Sequence, residues 1–214
     1  MMRNWFIPLA LSLGLGAHAA PPQRVEIQYE VTHNGTAVAD VTERLEHDRR
    51  QYRAEETWKG RGILALRGEA KRTSRGAVAS DGLRPVEFED RRSGREPKRV
   101  AFDPADGAAT LQRQDRLTLM WTLAFVPPKA EVTLRVTDDK GVSTHVYQPA
   151  GRERVRVPAG EFDALKLVRK YDQPGKRSTE LWLATDKSYL PVKIATTDRD
   201  GTRFEQSAVR IATQ

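Results

Sequence analysis

The chain has 214 residues, of which 38% are hydrophobic and 30% are charged, and its formal net charge at pH 7 is +7. It contains no cysteine, which excludes disulfides, a lipidated-cysteine anchor and thiolate metal sites. A chain this polar suits a sheet with one buried face better than a parallel sheet that is covered on both faces.

The N-terminus has the pattern of a cleavable export signal. Arg3 precedes an uncharged apolar run over 5–16, and Ala17-His18-Ala19 supplies small residues where a signal peptidase reads the chain. The run is shorter than the roughly 20 apolar residues that a membrane span requires. We therefore expect residues 1–19 to be a signal peptide and residues 20–214 to form a single periplasmic β-rich domain without a transmembrane anchor.

Alternation of apolar and polar residues with a period of two recurs along this domain. It begins with Val25, Ile27, Tyr29 and Val31, and the Asn34-Gly35 pair that follows is a strong hairpin signal. Further runs are separated by turn sequences at 103–107, 138–141, 158–160, 174–175 and 198–201. We expect a mainly β fold, an antiparallel meander of about a dozen strands without parallel pairs, curled into a barrel or half-barrel.

The segment 115–126 breaks this alternation. Its apolar residues lie at 117, 120, 121 and 124, which is helical spacing; Asp115 can cap the first turn, and Pro127-Pro128 prevents continuation. We expect one short, buried apolar helix that closes one end of the curled sheet, with a buried strand as the alternative. The candidate cavity-facing or lid residues are Leu117, Met120, Trp121 and Phe125.

Side chains capable of catalysis or metal binding form no recognisable pattern. His33, His47 and His145 lack metal-ligand spacing, and the Asp and Gly residues of 198–201 are more typical of a hairpin than of a calcium loop. Ser143 and His145 share a strand face, but no Gly-x-Ser-x-Gly elbow accompanies them. We therefore expect no enzymatic activity, no cofactor and no metal.

Two arginine clusters are candidate contacts for an anionic partner. The first contains Arg91, Arg92 and Arg95, and the second contains Arg152, Arg154 and Arg156. Export and the small number of aromatic residues argue against nucleic acid. Two interpretations remain: a solvated face balanced by nearby acidic residues, or contact with lipid phosphates or lipopolysaccharide.

Four short motifs occur in order along the domain: GLRP at 82–85, QD at 114–115, PAGEFDALKL at 158–167 and LPV at 190–192. In this order they resemble a family of exported proteobacterial proteins that is classed as a domain of unknown function. The resemblance covers nearly all of the mature chain and implies a periplasmic β-rich domain. It implies no established activity, so it assigns no catalytic residue.

Three functions remain open at this stage. The first is a carrier or binding module for an apolar or amphiphilic cell-envelope molecule, a function that periplasmic half-barrels of similar architecture perform for lipids and lipoproteins. The second is a non-catalytic structural or adaptor protein with a filled barrel, and the third, which the residues favour least, is an enzyme. A continuous internal cavity would distinguish the first from the second.

Overall fold

One sheet of thirteen strands carries the fold in the part of the chain that the computed structural model describes, residues 20–103, 113–138, 140–171, 175 and 177–214. The expected signal peptide and part of the predicted turns at 103–107, 138–141 and 174–175 lie outside these residues. The strands are β1 (Arg24–His33), β2 (Thr36–His47), β3 (Gln51–Gly60), β4 (Glu69–Ala79), β5 (Gly82–Arg92), β6 (Lys98–Ala101), β7 (Arg113–Asp115), β8 (Val132–Asp138), β9 (Gly141–Val157), β10 (Gly160–Lys170), β11 (Arg177–Ala184), β12 (Leu190–Asp198) and β13 (Arg203–Thr213).

The strand order across the sheet is 6-5-4-3-2-1-13-12-11-10-9-8-7. Strands adjacent in sequence are adjacent in the sheet except β6 and β7, which form its two edges, and the first and last strands pair with each other in antiparallel register. The predicted antiparallel meander and mainly β class are therefore confirmed. The hairpin between β1 and β2 has positive φ at both Asn34 (49°) and Gly35 (82°), as its Asn-Gly sequence predicts.

The short strand β7 runs parallel to β8, which the sequence analysis did not anticipate. Helix α1 (Thr118–Phe125) lies between the two strands and carries the chain back across the sheet. Parallel neighbours need such a crossover, and this one includes the predicted helix. The expectation of purely antiparallel pairing is wrong at this point, since the helical segment is itself the crossover.

The curl of the sheet brings β7 against β5, where side chains join the two halves. The buried Gln114 donates from Nε2 to the carbonyl oxygen of Leu83 (2.9 Å), and its Oε1 accepts from Thr122 Oγ1 (2.8 Å). Thr122 Oγ1 in turn accepts the backbone N–H of Leu83 (3.3 Å). The backbone ladders of the described strands do not join the two sheet edges, so the sheet is curled and open, and side chains take the place of a closing ladder.

Glycine at position 82 permits the close approach of α1 to β5. Gly82 has φ +119°, and a Cβ there would lie 3.0 Å from Cγ2 of Thr122. A side chain at this position would therefore both strain the backbone and push the helix away from the strand. The GLRP and QD motifs, which lie about thirty residues apart in the sequence, thus meet at this one contact.

The buried Asp115 organises the start of the helix. Its Oδ1 accepts the backbone N–H groups of Leu117 and Thr118, each at 2.8 Å, and its Oδ2 accepts from Ser74 Oγ at 2.5 Å. Ser74 Oγ also contacts the Tyr52 hydroxyl at 2.9 Å. Burial raises the pKa of the Asp115 carboxyl, whereas the hydrogen bonds from Ser74 and the backbone lower it. The helix begins at Thr118, three residues after the predicted start, because Asp115 caps from outside it.

Helix α1 fills one end of the curled interior. Trp121 is completely buried in the main core, which includes residues of β1, β2, β3, β5 and β9 to β13, and Leu123 is buried in a second core with strands β8 to β12. Buried side chains therefore point from the helix toward both halves of the sheet, which confirms that it is apolar and buried almost all round.

Where β3 and β5 end and β4 begins, the interior carries charged side chains on inward-facing positions. Arg72 forms ion pairs with Glu56 and with Asp90 (3.4 Å to the latter), and the side chain of Arg72 is only 11% exposed. Glu43 is fully buried and accepts a hydrogen bond from Gln206 Nε2 (3.3 Å). Burial, reinforced by the nearby Glu56, raises the pKa of Glu43 to about 8, so Glu43 is protonated and neutral at pH 7.

Replacing Trp121 tests whether the helix end of the interior is filled. Trp121→Ala should lower the free energy of unfolding by about 3–5 kcal/mol, because it leaves a cavity in the core. Trp121→Phe should lower it by only about 1 kcal/mol, since Nε1 of Trp121 has no hydrogen-bond partner among the described residues and no hydrogen bond is lost. Urea unfolding measures both. A loss of about 1 kcal/mol for Trp121→Ala would contradict a filled interior.

Replacing Gln114 tests whether its hydrogen bonds between β7, β5 and α1, which we call the side-chain closure, stabilise the fold. Gln114→Ala should lower the free energy of unfolding by about 2–4 kcal/mol, because it leaves the buried Leu83 carbonyl and Thr122 hydroxyl without their partner. Gln148→Ala, at an exposed position on β9, is the matched control and should change it by less than about 0.5 kcal/mol. Similar urea midpoints for the two variants would show that the closure contributes nothing to stability.

The buried Glu43 makes stability depend on pH. Its folded pKa lies above the ordinary 4.5, so its contribution is complete below the unfolded pKa and is lost as pH rises toward 8. Between pH 5 and pH 7.5, wild type should lose roughly 2–3 kcal/mol more than Glu43→Gln in urea unfolding. Glu46→Gln, at an exposed position on the same strand, should follow wild type. The same pH dependence in wild type and Glu43→Gln would refute the assignment.

Candidate functional site

The charged end of the interior opens into a cavity of about 790 Å³. It lies where β3 ends, β4 begins and β5 ends, beneath the residue that precedes α1. We call it the arginine pocket, because five of its described lining residues are Arg67, Arg72, Arg92, Arg95 and Arg116. Glu69 is the single acidic residue among the described lining residues.

Two of these arginines are neutralised within the fold. Arg72 lies between Glu56 and Asp90, and Arg92 forms an ion pair with Asp90 at 2.7 Å. The two arginines line the pocket, and their ion pairs with the two carboxylates join β3, β4 and β5 across their inward faces. Because their charges are paired, they contribute shape and rigidity to the pocket more than net charge.

The remaining three arginines leave the pocket with excess positive charge. The side chains of Arg67, Arg95 and Arg116 have no hydrogen bond or ion pair with any residue that the structure describes. Glu69, the nearby acid, is paired with Lys59 at 3.5 Å. Several unpaired cations around one concave surface attract anions more strongly than scattered surface charges do.

Arg116 lies at the boundary between the pocket and the packed interior. Its side chain is exposed toward the pocket, yet the surrounding protein desolvates it, and this burial, together with the nearby charge of Arg72, lowers the pKa of the guanidinium. An arginine remains charged at pH 7 even so. The backbone on either side of Arg116 is fixed by the hydrogen bond from Leu117 N–H to Asp115 Oδ1, so the side chain extends from a fixed point.

The other wall of the pocket is apolar. Trp58 is half-buried and packs against the main core, and Leu64 and Ala70 lie beside it. Leu64 belongs to a 3-10 turn (Gly62–Arg67) that folds back over the end of β3. The fold-back depends on Gly60, where a Cβ would lie 2.5 Å from the carbonyl oxygen of Leu64. The pocket thus presents cations and an apolar surface together.

The four predicted lid residues do not surround one cavity. Leu117 and Trp121 are buried in the main core, and Met120 is half-buried against the second core. Phe125 is half-buried, lies edge-on to His47 with ring centroids 4.9 Å apart, and lines a second cavity of about 410 Å³ at the opposite end from the arginine pocket. Their role as ligand contacts stays a prediction.

The first arginine cluster is divided by the alternation of β5. Arg91 faces outward and pairs with Glu89 (2.8 Å), whereas Arg92 faces inward, and Arg95 lies in the following turn. Two of its three members, Arg92 and Arg95, therefore line the pocket, and their contact with an anionic partner stays a prediction. The sequence analysis did not identify Arg67, Arg72 or Arg116, although a charged residue on the inward face of β4 between Ala70 and Ser74 was a signal for Arg72.

The second cluster lies on the exposed face of β9, away from the pocket. Arg154 pairs with Asp163 (3.3 Å) and Arg156 with Glu161 (2.9 Å) on the neighbouring β10. Arg152 is exposed, with no ion pair among the described residues. For Arg154 and Arg156 this arrangement matches the interpretation of a solvated face balanced by acidic residues.

Ser143 and His145 lie within hydrogen-bond distance, but no described acidic residue completes a catalytic triad with them. Ser143 Oγ lies 3.1 Å from His145 Nε2, while Nδ1 of His145 has no partner among the described residues. Burial and the positive charge of Arg169 lower the pKa of His145 to about 4. The described residues include no cluster of three or more His, Asp or Glu suited to a metal, and none of their helices is long and apolar enough to cross a membrane.

Solved structures resemble this chain at low sequence identity. A beta-barrel-like protein of the DUF1849 domain from Brucella abortus is 7% identical with a TM-score of 0.53, covering 91% of this chain and 99% of that chain. A protein described as exported, with a YmcC-like fold, from Bacteroides fragilis is 11% identical with a TM-score of 0.47, covering 91% and 98%. The chain has no match among the curated proteins. The Brucella structure supports the barrel-like fold and carries no information on activity.

A family model matches residues 27–118 and 108–207, which together span most of the chain. The family is described as Protein of unknown function (DUF3108). The match confirms the expectation, drawn from the ordered motifs, of a domain-of-unknown-function family. The chain belongs to the DUF3108 family.

Proposed function

We propose that this protein is a non-enzymatic binding module of the cell envelope that holds an anionic amphiphile in the arginine pocket. The observation that carries the proposal is the convergence of Arg67, Arg95 and Arg116, all without ion-pair partners among the described residues, on one cavity of about 790 Å³. The export signal expected at residues 1–19 supports the envelope as its location.

The positive charge argues for an anionic ligand group. Arginine donates hydrogen bonds to phosphate or carboxylate in a bidentate geometry, and such charge-assisted bonds are stronger than neutral ones. Arg116 is partly desolvated in the absence of an anion, so an anion beside it would offset that penalty. A phosphate or carboxylate headgroup fits this side of the pocket.

The apolar wall argues for an amphiphile over a small inorganic anion. Trp58, Leu64 and Ala70 present hydrophobic surface on the same cavity as the arginines. The volume of the arginine pocket lies within the roughly 300–1,000 Å³ of typical small-molecule sites. One end of the ligand would contact cations while an acyl or other apolar part covers Trp58.

A structural or adaptor role is the second candidate, and the filled helix end of the interior favours it. Trp121 and Leu123 are completely buried, each in one of the two cores. Under this alternative the arginine pocket holds water and ions only, and the protein acts through its outer surface. Ligand binding to the pocket separates the two functions.

Isothermal titration of the purified, delipidated protein with lysophosphatidylglycerol tests the proposal. The anionic single-chain lipid should bind, whereas the zwitterionic lysophosphatidylcholine and inorganic phosphate should each bind much more weakly. Arg116→Gln should weaken lysophosphatidylglycerol binding about 10–100-fold, because it removes a charge-assisted contact of about 1.5–3 kcal/mol.

Arg152→Gln is the matched control, because Arg152 is an exposed arginine on the outer face of the sheet. Like Arg116, it has no ion-pair partner among the described residues. It should leave lysophosphatidylglycerol binding unchanged. Equal effects of the two substitutions, or no binding by wild type, would leave the structural role in place. Phosphate binding as tight as that of the lipid would refute the amphiphile.

A further inference from the structure

The 3-10 turn between β3 and β4, which we call the apolar loop (Gly62–Arg67), displays two bare aliphatic side chains. Ile63 is 81% exposed and Leu66 is 86% exposed, more than any other large hydrophobic residue that the structure describes. Both lie at the mouth of the arginine pocket, since Leu64 and Arg67 of the same loop line it. Single exposed aliphatic residues are ordinary, but two that project from one short loop form a feature that needs a partner.

Hydrogen bonds and ion pairs anchor both ends of the apolar loop, so Ile63 and Leu66 are exposed on a fixed backbone. Arg61, at its start, pairs with Asp40 (2.5 Å) and Glu30 (2.8 Å), and its backbone N–H donates to Val38. At its end, the backbone N–H of Ser93 donates to the carbonyl oxygen of Glu69, and the backbone N–H of Glu69 donates to Ser93 Oγ. The loop therefore presents its aliphatic side chains in a pre-organised way.

The charges around the apolar loop indicate what it contacts. Arg67 closes the loop and Arg95 lies across the pocket mouth, and neither has an ion-pair partner among the described residues. Aliphatic side chains flanked by unpaired cations are complementary to the surface of an anionic bilayer, where acyl chains lie beneath phosphate groups. A stable protein–protein interface buries about 800 Å² on each partner, and a six-residue loop with two aliphatic side chains falls well short of that.

We propose that the apolar loop docks on an anionic phospholipid bilayer, with Ile63 and Leu66 entering the interfacial region and Arg67 and Arg95 contacting phosphates. This docking would place the mouth of the arginine pocket against the lipid surface, where an amphiphile could pass between bilayer and pocket. The docking goes beyond the proposed binding function and does not require that the pocket hold a ligand.

Vesicle flotation with the purified protein tests the docking. Wild type should bind vesicles of phosphatidylethanolamine with phosphatidylglycerol, bind vesicles of phosphatidylcholine weakly, and dissociate from the former as salt rises. Ile63→Ser/Leu66→Ser should weaken binding to the anionic vesicles at least about tenfold, because the loop loses its apolar contacts. Arg67→Gln/Arg95→Gln should weaken it without changing binding to phosphatidylcholine.

Val142→Ser/Val209→Ser is the matched control, because it removes two exposed aliphatic side chains from strands β9 and β13. It should bind anionic vesicles like wild type, and circular dichroism should give the same strand signal for all variants. No vesicle binding by wild type, or the same binding by the loop and control variants, would overturn the proposal. A wild-type dimer in analytical ultracentrifugation that Ile63→Ser/Leu66→Ser dissociates would overturn it in favour of a second copy as the occupant.

Arg116→Gln separates this proposal from the proposed function. It should lose lysophosphatidylglycerol binding while it still docks on anionic vesicles, because Arg116 lies inside the pocket and not on the loop. Lysophosphatidylglycerol binding without vesicle docking in wild type would overturn the docking alone. Vesicle docking without lysophosphatidylglycerol binding would overturn the pocket function alone.

Discussion

The buried hydrogen bonds of Gln114 hold the two halves of the curled sheet together. In a thirteen-stranded sheet with free edges, backbone hydrogen bonds alone do not fix the curvature. Here the side-chain amide of Gln114 is hydrogen-bonded to the Leu83 carbonyl and to Thr122. Each of these polar groups is buried, so the loss of one partner would leave the others unsatisfied in the interior. The curl, the position of α1 and the cavity beneath it all depend on this contact.

The interior has two chemically different regions. Toward α1, the space is filled by Trp121, Leu123 and the side chains of both cores, and the fold gains its apolar burial there. Toward the 3-10 turn, the inward positions of β3 to β5 carry the ion-paired Glu56, Arg72 and Asp90. Charges buried this way add little stability when they are paired, so their presence is better explained by the pocket they shape than by folding.

The pocket and the apolar loop are physically continuous. Leu64 contributes to the apolar wall inside, while Ile63 and Leu66 of the same turn face outward, and Arg67 stands between the two surfaces. A binding site for an amphiphile is most effective where its ligand need not cross water, because the transfer of apolar surface through water is unfavourable. A filled barrel acting as an adaptor would need neither this turn nor the unpaired arginines.

Local patterns determined much of the fold. The alternation at Val25 to Val31, the Asn34-Gly35 turn and the helical spacing around Trp121 each depend on neighbours in sequence, so the meander and the single helix could be predicted without coordinates. The tertiary structure alone decided the site. Arg91 and Arg92 are adjacent, yet strand alternation and curl send one to solvent and the other to the pocket, and Arg116 joins them only because Gln114 and Asp115 bring its segment across the sheet. Contacts between residues far apart in the chain leave no periodic signal in one sequence, and the arginine pocket consists of such contacts.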